Sequence, residues 1–105
     1  MRIAIATTEM SDKGRICRQG ARAAYFLVFD ENTQIVDAFE NPFKDYDHGV
    51  GIHVADFLAD KKVKVVAAAH IGTGFANALD SKGVGHVEIE GTIRDAVEAI
   101  IGSSV

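Results

Sequence analysis

Two stretches of this chain, Ile3 to Ala6 and Val63 to Ala69, are apolar at nearly every position. A strand with one wet face alternates polar and apolar residues, so near-continuous runs of this kind must be covered on both faces. Helices on either side of a sheet supply that cover. The remaining periodicities fit such a sheet. Ala23 to Asp30 and Gln34 to Glu40 read as two strands joined at Glu31-Asn32-Thr33, a loop of hairpin length. Val50, Val54, Phe57 and Leu58 recur at helical spacing, with Asp56, Asp60 and Lys62 turned away from that stripe. Phe75, Ala78 and Leu79 mark a short helix ending near Lys82-Gly83, where glycine supplies a left-handed cap. Val84 to Glu90 alternates as a strand does. Thr92 can cap a last helix with Asp95 three residues on, and Ile93, Ala96, Val97, Ile100 and Ile101 form its apolar face.

The order is therefore β-β-β-α-β-α-β-α. The hairpin brings antiparallel strands and the later crossovers bring parallel ones. The expected fold is α/β: one domain over residues 1–105, with a five-stranded mixed β-sheet flanked by helices in a ribonuclease H-like arrangement. No linker, repeat or low-complexity tract divides the chain.

Charge narrows the partners. Lysine and arginine number 11 against 15 aspartates and glutamates, a net charge of −4, which lacks the basic footprint of a nucleic-acid binder. No apolar run approaches the roughly 20 residues of a membrane-spanning helix. Glu9, Asp12 and Lys13 interrupt the N-terminal segment before a signal-peptide core forms. A lone cysteine, Cys17, excludes an internal disulfide and a four-cysteine zinc site. A cytoplasmic domain is expected.

Three segments carry potential chemistry. His70-Ile71-Gly72-Thr73-Gly74 follows a strand and opens a helix, a place where unpaired N–H groups and a positive dipole end can hold an anion. The same glycines also suit a plain tight turn. Asp45 to His53 is a second glycine-bearing lead into a helix, with Gly49, Gly51 and the histidines His48 and His53. Those histidines are five residues apart, so they converge only with His48 in the loop and His53 in the first turn. Either one alone also reads as a hydrogen-bonded structural histidine. Cys17 lies among Arg15, Arg18 and Arg22 in a polar loop, where neighbouring positive charge favours a thiolate. A half-buried structural thiol is the plainer reading of that loop. His86, beside Glu88 on an alternating strand, reads as structural. Ligands of such sheets bind beyond the carboxyl ends of the strands, which would gather Cys17, His53 and His70 around one groove.

RIAIATTE, ARAAYFLVFD, QIVDAFENP, HGVGIHVADFL, VVAAAHIGTGFANAL and EGTIRDAVEAI, in this order and spacing, resemble the dinitrogenase iron–molybdenum cofactor biosynthesis family over nearly the whole chain. The resemblance implies the ribonuclease H-like fold and a non-catalytic carrier of an anionic molybdenum- or iron–sulfur-containing cluster. It implies metal-cluster donor or acceptor proteins as partners. Two departures stand out. Gln19-Gly20-Ala21 replaces the histidine-phenylalanine-glycine frequent in relatives, and His70 stands where a small residue is usual. The expected metal ligands are accordingly Cys17, His53 and His70, with Arg22, His48, Gly49, Gly51, Gly72, Thr73 and Gly74 contacting the cluster. A regulatory or protein-interaction domain without a cluster is the competing reading. Nuclease chemistry is disfavoured, because the first strand offers none of the carboxylates that two-metal catalysis needs.

Overall fold

In a computed structural model of the protein, which describes residues 1–102, the first strand explains the layering. β1 (Ile3–Thr7) is buried along its whole length. Its isoleucines and alanines alternate, and successive side chains of a strand point to opposite faces. Ala4 and Ala6 join one apolar cluster, Ile3 and Ile5 the other. β2 (Tyr25–Phe29) follows the same rule, with Phe26 and Val28 on the alanine side and Leu27 and Phe29 opposite.

β1 pairs antiparallel with β2, and β2 with β3 (Ile35–Glu40); β1 pairs parallel with β4 (Val65–Ala68), and β4 with β5 (Gly85–Glu88). The sheet order is β3-β2-β1-β4-β5. This is the expected five-stranded mixed sheet, and the element order agrees throughout. α1 (Val50–Asp60) and α2 (Thr73–Ser81) cover the alanine side through Val54, Leu58, Phe75 and Leu79. α3 (Ile93–Gly102) covers the isoleucine side through Ile93, Ala96 and Val97.

Boundaries shift where local bonding overrides periodicity. β2 starts at Tyr25 and not Ala23, because Ala23 closes a turn, its N–H donating to the Gly20 carbonyl (3.3 Å). The buried Asn41 amide then donates to the carbonyls of Ala21 and Ala23. α2 begins at Thr73, two residues before its first apolar contact. Val84 precedes β5 and not within it, its N–H donating to Leu79 in the turn that ends α2. Gly83 in that turn is left-handed (φ 71°), as expected. The Asp95 N–H does donate to Thr92 Oγ1 (3.2 Å), the capping contact legible in the sequence. Residues 103–105, the end of the expected domain, lie outside the described residues.

Candidate functional site

A groove of about 450 Å³ opens at the carboxyl end of β1 and β4, and three segments build it. The first is the β4–α2 turn. Ile71 is buried and anchors the turn to the core, and its N–H donates to Glu88 Oε2 at 2.8 Å. His70, one residue earlier, faces outward with most of its side chain exposed. Gly72 caps α2 in extended conformation, and no side chain closes the helix N-terminus.

The second segment leads into α1. Gly49 is its N-cap at φ 72°, a left-handed geometry that glycine adopts without strain. Here too no side chain caps the helix. Gly51 lies against α2 so closely that a Cβ would come within 3.0 Å of the Phe75 backbone. That contact brings the two helix N-termini together.

Gln19 to Arg22 forms the third wall. The Gly20 N–H donates to the His70 carbonyl (3.0 Å), and a Cβ at Gly20 would meet the Phe75 ring at 3.1 Å. Arg22 donates from Nη1 to the Lys44 carbonyl (2.8 Å), with no carboxylate paired to it among the described residues.

Of the residues singled out in the sequence, Arg22, Gly49, Gly51, His70, Gly72 and Gly74 line this groove. Thr73 sits exposed between two lining glycines, and His48 is exposed in the loop before α1. Neither is among the residues lining the groove. His53 does occupy the first turn of α1, but its ring stacks on Phe43 (centroids 5.3 Å apart, planes 16°) and meets Tyr46 edge-on at 5.0 Å. Cys17 lies in an extended segment whose N–H donates to the Ala6 carbonyl (2.7 Å) and whose carbonyl accepts from Ala69 (3.1 Å). Its side chain is half-buried against the α1–α2 core cluster. Cys17, His53 and His70 thus share one end of the sheet, yet the groove takes in His70 alone. Among the described residues no three His, Cys, Asp or Glu side chains gather as metal ligands. The physical reason is competition: aromatic stacking holds His53 and apolar packing holds Cys17.

Three contributors escaped the sequence reading. Phe75 forms an apolar wall of the groove and Ile52, 61% exposed, stands on its rim. Glu88 Oε2 lies 3.3 Å from His70 Nδ1. The sequence showed Glu88 only as a polar position on an alternating strand. Its placement depends on the β4–β5 register, which sets Ala68 opposite Glu88. His86 contacts Asp80 at 3.0 Å, away from the groove, consistent with its structural reading.

Comparison with known proteins completes the picture. The chain is 28% identical to the orange protein of Desulfovibrio gigas, solved in its apo form, with a TM-score of 0.90 over 99% of this chain and 89% of that one. A Thermotoga protein provisionally described as a NifB protein of the DUF35 family is 29% identical, with a TM-score of 0.78 over 94% and 85% of the two chains. A Methanocaldococcus jannaschii protein provisionally described as a dinitrogenase shares the fold at 16% identity, with a TM-score of 0.62 over 98% and 89%. No curated protein matches the chain. The model of the dinitrogenase iron–molybdenum cofactor family matches residues 1–103, and the chain belongs to that family.

Proposed function

We propose that this protein is a non-catalytic cytoplasmic carrier, holding a preassembled anionic molybdenum- or iron–sulfur-containing cluster in the groove between donor and acceptor proteins. One observation carries the reading. The N-termini of α1 and α2, neither closed by a side chain, converge on a groove that also holds His70 and Arg22. Each N-terminus offers unpaired N–H groups and a positive dipole end, and anions settle on such groups without further help. A cluster that brings its own sulfides needs few protein ligands. His70 would supply one imidazole to the metal. Arg22, Gly49, Gly51, Gly72 and Gly74 would meet the anionic rim. The apolar wall at Phe75 and Ile52 suits sulfide, which is less strongly hydrated than oxygen anions. Cys17, His48, His53 and Thr73 stand outside this contact set.

The test mixes purified protein with tetrathiomolybdate, ferrous iron and sulfide, then separates it by gel filtration. Visible charge-transfer bands that travel with the wild-type protein and are lost from His70→Ala support the carrier. Bands that never travel with the protein, or that survive unchanged in His70→Ala, defeat it.

A further inference from the structure

We propose that Glu88 is the positioning residue of the groove: it holds the backbone beside His70 and biases the neutral ring towards Nδ1–H, so that Nε2 is the nitrogen offered to a ligand. The proposal rests on the carrier reading for what that nitrogen binds, but its geometry is independent of the cargo. One oxygen, Glu88 Oε2, serves two neighbours. It accepts the Ile71 N–H at 2.8 Å, which pins the backbone immediately after His70. It also lies 3.3 Å from His70 Nδ1. A bare Nδ1 lone pair near a carboxylate oxygen is repelled, whereas an Nδ1–H is attracted. The neutral ring therefore carries its hydrogen on Nδ1, leaving the Nε2 lone pair free. No partner occupies Nε2 among the described residues. Backbone bonding holds the turn from its other side, through the Gly20 N–H on the His70 carbonyl. The backbone on both sides of the histidine side chain is thus held before any ligand arrives. Glu88 sits at the end of β5, where the parallel register with β4 sets it opposite Ala68 and brings it to the turn.

Two variants separate positioning from folding. Glu88→Gln keeps an oxygen for the Ile71 N–H but removes the charge facing Nδ1; Glu88→Ala removes both. Nitrogen-15 NMR of the His70 ring in ligand-free protein, in mildly alkaline buffer, reads the tautomer directly. Wild type is expected to show Nδ1–H, and Glu88→Gln to shift towards Nε2–H while its melting temperature stays near wild type. Cluster retention, assayed with tetrathiomolybdate, ferrous iron and sulfide, should fall about 10–100-fold in Glu88→Gln, the usual loss when the support of a metal-ligating histidine is removed. A wild-type ring found as Nε2–H overturns the proposal whether or not the protein carries a cluster. So does a changed tautomer with undiminished retention. Failure of wild-type protein to take up the cluster at all, with the tautomer shift intact, refutes the carrier reading and leaves the positioning of the ring standing.

Discussion

Gly51 and Gly74 both border the groove, yet an added methyl group would meet different surroundings at each. At Gly51 it would lie 3.0 Å from the Phe75 backbone, which cannot yield without moving α2. At Gly74 it would meet nothing within 4 Å. Gly51→Ala should therefore cost roughly 1–3 kcal/mol through overpacking and separate the two helix N-termini. Gly74→Ala, inside a helix with room to spare, should raise stability by about 0.4–1 kcal/mol. If cargo approaches the backbone there, Gly74→Ala should still retain less of it. Urea titrations of both proteins, alongside cluster retention, check the pair. Asn41 shows a different dependence. Its side chain is buried and makes three hydrogen bonds, two to the carbonyls of Ala21 and Ala23 and one from the Phe43 N–H. Asn41→Ala should cost about 1–3 kcal/mol for each buried backbone group left unpaired, measured by the same titration, and should loosen the wall that carries Arg22. Glycine turns were legible in the sequence because their residue type is their signal. Glu88 was not, since a carboxylate on an alternating strand looks the same wherever the register delivers it.

Among the elements, α3 tests how far the two sides of the sheet are separate. It packs on Ile3, Ile5, Leu27 and Phe29, opposite the groove. The helix was readable from its apolar stripe and its threonine cap. Ile100 belongs to that stripe but is only half-buried, whereas Ile93 is 1% exposed. The large stability loss of a core truncation is therefore expected at Ile93. Ile93→Ala should cost about 2–5 kcal/mol, Ile100→Ala less, and cluster retention by either folded protein should match wild type. Thermal melts and gel filtration decide both points. The segment from Ser11 to Gly20 was the least readable element. Its isolated bridges, Thr7 to Ile16, Arg15 to Thr92 and Gln19 to His70, join residues from distant parts of the chain. No local periodicity announces pairing of that kind. Cys17 was drawn into the expected ligand set for the same reason: its polar, arginine-rich neighbours suggested an open loop, while its side chain packs against the core.

At the scale of the whole molecule, an ion pair joins the two helices that border the groove. Lys82 binds Asp56 at 2.8 Å and ties the end of α2 to α1. The Asp56 carboxylate, by hydrogen bond and charge, raises the Lys82 ammonium above its ordinary value of 10.5. A raised value means the pair stabilises fully below about pH 10.5 and loses its effect as pH climbs through the folded-state value. The gap in melting temperature between wild type and Lys82→Met should be small, constant at neutral pH, and close in strong alkali. Sheet order was readable from the sequence only in outline, since crossover handedness limits the choices but β1 becomes central only once its pairing with both β2 and β4 is seen. That central strand has a wider consequence. By sending alanines one way and isoleucines the other, it makes the sheet a partition between two apolar layers that share none of the described residues. Losses on opposite sides should then add. Leu79→Ala combined with Ile93→Ala should differ from the sum of the single changes by no more than about 0.5 kcal/mol. Descendants of this chain can consequently accumulate changes behind the sheet without disturbing the groove in front, so stability and ligand choice are free to drift on separate clocks.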